Sequence, residues 1–137
     1  MDIRALLIRH EGLKLKPYRD TVGKLTIGVG HNLDDNGITQ DIAYRILDDD
    51  IANAERDLDI REPWWRDMDP VRRMVFTDMC FNLGINRFCG FSKMLQAAQV
   101  GDWGGAAREM HNSTWAKQVG PRAVTLANMM LTGIALK

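Results

Sequence analysis

Two carboxyl side chains and one hydroxyl in the first part of the chain have the chemistry that cleaves a glycosidic bond. Glu11 and Asp20 stand nine positions apart, and Thr26 follows six positions later. In such a pair, one acid protonates the leaving oxygen while the other acts on water or on the sugar. The spacing places the two carboxyls on different elements, so a helix and a hairpin must bring them together.

Glu11 falls at the end of a predicted amphipathic helix. Ile3, Leu6 and Leu7 form an apolar stripe at helical spacing, and the next i+4 step reaches Glu11. Burial on that stripe would favour the neutral, protonated carboxyl that a general acid needs. Gly12 predicts the end of the helix. The alternative is a half-exposed glutamate in a frayed last turn, with no chemical role.

A β-hairpin is predicted after this helix. Residues 18–20 and 25–29 have the pattern of its two strands, and residues 22–24 that of the turn. Asp20 stands next to the turn, where aspartates are common because their side chains hydrogen-bond the turn backbone. A role as turn former is therefore the alternative to a role in catalysis.

One face of the predicted return strand is nearly bare. Thr26, Gly28 and Gly30 share it, and small residues let a flat ligand approach the backbone. Thr26 can hold a water molecule, and Asp20 can share that water as a general base. The bare face and its hydroxyl together favour a functional role over a purely structural one.

The segment 11–31 carries the motif Glu-Gly-Leu-x-Leu-x-x-Tyr-x-Asp-Thr-x-Gly-x-x-Thr-Ile-Gly-x-Gly-His. It resembles the signature of the phage lysozymes, glycoside hydrolase family 24, and the resemblance extends more loosely over nearly the whole chain. It implies that Glu11, Asp20 and Thr26 are the catalytic residues of an endo-acting muramidase. Such an enzyme cleaves the β-1,4 bond between N-acetylmuramic acid and N-acetylglucosamine in peptidoglycan, here with inversion.

The resemblance also assigns residues further along the chain. It implies that Phe81 and Asn82 contact substrate and that Arg122 is paired with the catalytic glutamate. Asp50 falls on the apolar stripe of a predicted helix and needs a partner there. The resemblance implies that this partner is His31, as a structural brace for the hairpin.

Some positions depart from the family pattern. Asn32, Met94 and Glu109 do not match the family's substrate contacts, so the preference for particular sugars or crosslinks is not predicted. Trp64 and Trp65 form an aromatic anchor in a connecting segment. Core packing is the favoured role for both, and contact with sugar is the alternative.

The predicted fold class is α+β and mostly helical. The resemblance implies that residues 1–137 form one lysozyme-like domain, and we expect a small β-containing lobe over about 12–38 and a connecting helix over about 39–58. A helical lobe over about 70–137 is expected to pack with the first helix, residues 3–11. A cleft between the lobes is the default binding site.

Several boundaries follow from local signals. Residues 34–38 predict a turn, and Thr39 is a predicted helix cap. Asp69 and Pro70 start a helix that ends at Gly84 and is apolar on more than one face, which predicts a buried central position. Predicted helices then start at Ser92, Asp102 and Gly120-Pro121, with a short turn at residues 113–115.

Composition narrows the function classes. Apolar residues make up 45% and charged residues 26% of the sequence, as in ordinary globular proteins. No apolar run reaches the length of a membrane span, and no secretory signal is apparent. Cys80 and Cys89 are predicted to be buried free thiols. A partial calcium-loop pattern has Ala43 where a glutamate ligand is required, so neither a metal nor another cofactor is expected.

The predicted partner is the glycan strand of peptidoglycan. The chain ends are basic and the middle is acidic, without the basic stripe and interleaved aromatics of a nucleic-acid interface. We expect a monomer that is made in the host cytoplasm and reaches the wall through a separate pore-forming protein, or alternatively in a virion. The rival functions are a lytic transglycosylase and a non-catalytic wall-binding or virion module.

Overall fold

The computed structural model describes all residues from 1 to 137 as two compact units, Met1–Ile46 and Leu47–Lys137. The chain is mostly helical and contains one small antiparallel sheet. The predicted α+β, mostly helical class is therefore confirmed. None of the helices combines the length and the apolar character that a membrane crossing requires.

Helix α1, Ile3–Glu11, opens the first unit and has a cap at each end. Asp2 accepts a hydrogen bond from the backbone N–H of Ala5 at 2.8 Å, which satisfies a free donor of the first turn. Gly12 ends the helix with a φ of 77°, a conformation that favours glycine. Both ends agree with the boundaries predicted from the sequence.

Three antiparallel strands follow in the order β1-β2-β3: Lys14–Arg19, Leu25–Gly28 and His31–Asn32. Tyr18 pairs with Thr26, and Thr26 pairs with Asn32 on its other side. The predicted hairpin is thus present, and its second strand is the centre of the sheet. The sequence analysis missed β3 because two residues carry no measurable period.

A single turn of helix, α2, spans Leu33–Asn36, where the sequence analysis predicted only a turn at residues 34–38. The side chain of Asn32 caps it by accepting from the N–H of Asp35 at 3.0 Å. Acidic residues in the first turn are also favourable at a helix N-terminus. A four-residue helix is too short to show helical periodicity, which explains the error.

Helix α3, Gln40–Arg61, is the longest element and passes from the first unit into the second. Its start is as predicted, and the hydroxyl of Thr39 accepts from the N–H of Ile42 at 3.3 Å. The helix continues past the predicted end near Leu58 and stops before Glu62. Glu62 precedes a proline, and a residue in that position is driven away from helical backbone angles.

Helix α4, Pro70–Leu83, lies in the core of the second unit. Val75, Phe76, Met79 and Cys80 are all buried along it, which confirms the predicted central helix. A short 3-10 helix, Pro63–Asp67, precedes it. Five further helices follow it: α5 Ile85–Cys89, α6 Ser92–Gln99, α7 Trp103–His111, α8 Thr114–Val119 and α9 Pro121–Thr132. The sequence analysis missed α5 and read the start of α8 as a turn.

Aromatic side chains tie the 3-10 segment to this core. Trp64 meets Phe76 edge-to-face at 5.6 Å between ring centroids, and Phe76 meets Phe88 at 5.0 Å. Trp65 is only 1% exposed and donates its indole N–H to Asp59. Core packing of the two tryptophans is therefore confirmed.

Both cysteines are free thiols, as predicted, but only Cys80 is buried, and Cys89 is half-buried. Burial raises the pKa of the Cys80 thiol to about 11. Burial also raises the pKa of Cys89, against the opposing field of Arg61.

Candidate active site

Glu11 is the last residue of α1, and its carboxyl lies against the backbone of Gly30. A Cβ atom placed on Gly30 would stand 2.7 Å from Oε2 of Glu11, closer than two such atoms approach. Gly30 also has a φ of 65°, a conformation that favours glycine, and an added methyl group would force the Glu11 carboxyl to shift. The Glu11 side chain is exposed in the structure, so the predicted burial on the apolar stripe is wrong.

Asp20 uses one oxygen of its carboxylate to hold the turn between β1 and β2. Its Oδ1 accepts from the N–H groups of Val22 at 3.0 Å and Lys24 at 2.8 Å. Its backbone N–H donates to the carbonyl of Lys24 at 2.9 Å. Oδ2 makes no hydrogen bond within the protein, so one half of the carboxylate is structural and the other half is available for chemistry.

Thr26 is the one residue of the first unit that is buried, at 3% exposure. Its hydroxyl donates to the carbonyl of Lys24 at 2.8 Å, which leaves the oxygen lone pairs to accept from another group. The strand face is therefore less bare than predicted at Thr26. At Gly28 it is open, since an added Cβ would meet nothing within 4 Å.

Two aspartates of the α2 turn hold the hairpin from outside, and the sequence analysis missed both. Asp34 accepts from the backbone N–H of Leu25 at 2.7 Å and pairs with Arg19 at 3.2 Å. Asp35 pairs with Lys24 at 2.9 Å. The hydrogen bond between Lys24 and Asp35 lowers the pKa of Asp35 and raises the pKa of Lys24. The adjacent aspartates after β3 were the sequence signal for these contacts, and the sequence analysis interpreted them only as part of a turn.

His31 contacts the chain just beyond α2. Its Nε2 lies within hydrogen-bonding distance of the carbonyl oxygen of Gly37, so the ring braces the sheet to the end of that helix. Asp50 is exposed on α3, so its predicted burial on the apolar stripe is wrong, and it belongs to the other unit. The pairing of His31 with Asp50 stays a prediction.

The second unit contains the predicted substrate contacts Phe81 and Asn82. Phe81 is 45% exposed at the end of α4 and lines a groove of about 550 Å³, together with Arg122 and Asp78. Asn82 accepts a hydrogen bond from the indole N–H of Trp115 at 2.8 Å, so its side-chain oxygen is already engaged. The amide N–H₂ of Asn82 is the part that remains for a ligand.

Arg122 is paired with Asp78, a residue that the sequence analysis did not single out. Its Nε donates to Oδ1 of Asp78 at 2.8 Å, and Nη2 lies 2.7 Å from the same oxygen. Glu11 belongs to the other unit. The pairing of Arg122 with Glu11 therefore stays a prediction.

Comparison with known proteins finds similarity to lysozymes and endolysins. Residues 8–129 match the family model described as phage lysozyme. An endolysin of Acyrthosiphon pisum secondary endosymbiont phage 1 is 36% identical over 124 residues, covering 85% of this chain and 80% of the relative. The probable T4-type lysozyme 1 of Dictyostelium discoideum is 26% identical over 160 residues, covering 96% of this chain and 94% of the relative.

A different kind of protein is also similar. The pre-baseplate central spike protein Gp5 of Enterobacteria phage T4 is 29% identical over 161 residues. That match covers 97% of this chain but 28% of the spike protein, so this chain corresponds to a small part of its length.

Proposed function

Because the chain belongs to the phage lysozyme family, we propose that it is a peptidoglycan-hydrolysing enzyme, an endo-acting muramidase. Its substrate is the β-1,4 bond between N-acetylmuramic acid and N-acetylglucosamine. The observation that supports this best is the combination of an exposed Glu11 carboxyl against Gly30 with a half-free Asp20 carboxylate on the adjoining hairpin.

In this proposal Glu11 protonates the glycosidic oxygen. The free Oδ2 of Asp20 and the lone pairs of Thr26 hold the attacking water on the opposite face of the sugar ring. The bare backbone at Gly28 and Gly30 admits the sugar. A water between acid and base requires a carboxyl separation of roughly 6.5–9.5 Å in the bound complex, which gives inversion at the anomeric carbon.

A clearing assay with defined variants tests the activity. Wild-type protein added to permeabilised Gram-negative cells is expected to reduce their turbidity, and Glu11→Gln is expected to lower that rate by about a thousandfold or more. Asp48→Asn changes an exposed carboxylate on α3 and serves as the control, with wild-type activity expected. Near-wild-type lysis by Glu11→Gln would show that another group is the acid.

Product analysis separates hydrolysis from its closest rival. A lytic transglycosylase needs one acid and no positioned water, and it leaves 1,6-anhydro sugars. Mass spectrometry of digested peptidoglycan is expected to show reducing ends instead, and proton NMR is expected to show the α-anomer first. Anhydro products would contradict the hydrolase, and an initial β-anomer would contradict the inverting mechanism.

The similarity to a spike protein favours a second candidate, a wall-binding or virion module without turnover. This candidate predicts that the protein sediments with purified peptidoglycan sacculi but releases no soluble fragments. The half-free carboxylate of Asp20, together with the exposed carboxyl of Glu11 in the same unit, supports the enzyme instead.

The route to the wall is part of the same proposal. We propose a monomer that is released from the host cytoplasm through a separate pore-forming protein, which agrees with the endolysin among the relatives. The spike relative supports the alternative of transport in a virion. Mass spectrometry of purified virions distinguishes the two, since the proposed route predicts that the protein is missing from them.

A further inference from the structure

Lys24 connects the two groups that hold the attacking water in the proposed function. It lies between the hairpin turn and β2. Its backbone N–H donates to Oδ1 of Asp20 at 2.8 Å. Its carbonyl oxygen accepts from the N–H of Asp20 at 2.9 Å and from the hydroxyl of Thr26 at 2.8 Å. Asp20 and Thr26 are therefore both bonded to the backbone of one residue, and a shift of that backbone moves both groups.

The side chain of Lys24 reaches across to α2. Its Nζ donates to Oδ1 of Asp35 at 2.9 Å. The other oxygen of Asp35, Oδ2, accepts from the side-chain amide of Asn32 at 2.9 Å, and the Asp35 N–H donates back to Oδ1 of Asn32 at 3.0 Å. Asn32 is in turn the β3 partner of Thr26. The contacts thus form a closed ring through Lys24, Asp35, Asn32 and Thr26.

Stability gives little reason for the ion pair in this ring. The side chains of Lys24 and Asp35 are 43% and 50% exposed, and ion pairs at that exposure contribute little to folding because water screens them. The backbone next to Lys24 does need an anchor, however. Gly23 precedes it with a φ of 84°, and glycine restricts the chain less than any other residue. A second attachment through the Lys24 side chain narrows the positions that this backbone can take.

We propose that the ion pair between Lys24 and Asp35 is a positioning device for the attacking water. This inference rests on the proposed function, in which Asp20 and Thr26 hold that water. Neither charged group touches the reacting atoms in this role: Asp35 acts through Lys24, and Lys24 acts through its backbone on Asp20 and Thr26. Misplacement of a reacting group by about 1 Å already slows catalysis strongly. Loss of the pair therefore lowers kcat more than it changes KM.

A double-mutant cycle on soluble peptidoglycan fragments tests this role. Lys24→Gln and Asp35→Asn are each expected to lower kcat about fivefold with KM changed less than about twofold, since each removes the same attachment. The double variant is expected to be no slower than the slower single variant. Additive losses in the cycle would overturn the inference, because the two residues would then act independently.

Two lysine variants separate positioning from a general effect of charge. Lys24→Arg keeps a cationic donor for Asp35 and is expected to retain most of kcat. Lys16→Gln removes the same charge from an exposed position on β1 where the side chain makes no hydrogen bond, and it is expected to match the wild type. An equal fall in kcat for Lys16→Gln and Lys24→Gln would overturn the positioning role. A raised KM with an unchanged kcat in Lys24→Gln would also overturn it, because Lys24 would then bind substrate directly.

Hydrogen exchange tests the attachment without any substrate. The Lys24 N–H, which donates to Asp20, is expected to exchange faster by about threefold or more in Asp35→Asn than in the wild type. Asp35 is distant from Lys24 in sequence, so the intrinsic exchange rate of this amide stays the same. The midpoint of denaturant unfolding is expected to be nearly unchanged, since both side chains are exposed. Unchanged exchange at Lys24 would overturn the inference.

The failures of the inference and of the proposed function are distinguishable. A wild-type protein that releases no fragments from peptidoglycan overturns the proposed function and the inference with it. An active wild type with unimpaired Lys24→Gln and Asp35→Asn variants overturns the inference alone and leaves the proposed roles of Asp20 and Thr26 as they are.

Discussion

At the scale of single residues, the glycine at position 30 leaves room for the carboxyl of Glu11. Gly30 places its bare α-carbon against the Glu11 carboxyl, and Asp20 divides its two oxygens between the turn and the solvent. Neither arrangement follows from residue type alone. Two predictions belong at this scale, one for each residue.

Gly30→Ala is expected to displace the acid. The added methyl would meet Oε2 of Glu11 at 2.7 Å, and position 30 has a φ of 65°. We expect a loss of about 1–3 kcal/mol in the free energy of unfolding and a fall in activity of about tenfold or more. Denaturant unfolding and the clearing assay measure the two effects.

Gly28→Ala is the control for the stability effect. Position 28 has a similar φ of 70°, but an added Cβ meets nothing within 4 Å. The Gly28→Ala variant therefore measures the loss in the free energy of unfolding that backbone strain alone causes. A smaller loss of stability for Gly30→Ala than for Gly28→Ala would contradict the close contact with Glu11.

Asp20 variants separate the two oxygens. Asp20→Asn keeps an acceptor for the N–H groups of Val22 and Lys24, whereas Asp20→Ala leaves them without a partner. Both are expected to be inactive, and Asp20→Ala is expected to be less stable than Asp20→Asn by about 1–2 kcal/mol. Equal unfolding free energies would show that the turn does not depend on Oδ1.

At the scale of elements, α2 acts as a clasp on the hairpin. Asp34 holds the backbone of β2, and Asp35 holds Lys24 in the turn that Asp20 also organises. The clasp joins the end of β3 to the turn between β1 and β2, which lies at the same end of the sheet because Asn32 pairs with Thr26. It therefore limits the motion of the segment that carries Asp20.

The Lys24–Asp35 pair has a predictable pH dependence. The hydrogen bond lowers the pKa of Asp35 below its ordinary 3.8, so any stability from this group is present above that pH and lost as the pH falls through the folded-state pKa. The raised pKa of Lys24 works at the opposite end, where stability is lost as the pH rises above the folded-state pKa. Between the pKa values of Asp35 and Lys24, the contribution of the pair to stability does not change with pH.

Carbon-detected NMR titration measures this effect. Asp35 is expected to titrate below 3.8, and Lys24→Gln is expected to return its midpoint toward that value. Asp59, whose pKa is lowered chiefly by its hydrogen bond with Arg66, is the internal control and should not move. An unchanged Asp35 midpoint in Lys24→Gln would contradict the pair.

At the scale of the whole molecule, the buried apolar side chains all belong to the second unit. They run from Ala54 to Met130 and surround α4. The first unit holds its shape by caps, strand pairing and charge pairs around the hairpin. The buried apolar packing thus lies in the second unit, whereas the three proposed catalytic residues lie in the first.

Core truncation is expected to have a large effect on unfolding. Phe76 is fully buried between Trp64 and Phe88, so Phe76→Ala should cost about 3–5 kcal/mol in a denaturant titration. Phe81→Ala, at a half-exposed position on the same helix, should cost about 1 kcal/mol or less. Similar costs for both would contradict the assigned core.

The sequence by itself determined the helical period, the caps and the hairpin, because these depend on residues near one another in the chain. Asp2, Gly12, Thr39 and Asp69 act where local rules place them. The signature over residues 11–31 was enough to indicate the family. Very short elements such as β3 and α2 were missed, because their few residues carry no period.

Only the tertiary structure decided which groups meet across the chain. The contact of Glu11 with Gly30, the clasp of Asp34 and Asp35, and the pairing of Asp78 with Arg122 all join distant positions. No spacing rule predicts them, since they depend on how elements pack rather than on how each one forms. The predicted burial of Glu11 was wrong for the same reason: a helix period identifies the stripe, but only packing determines whether that stripe is covered.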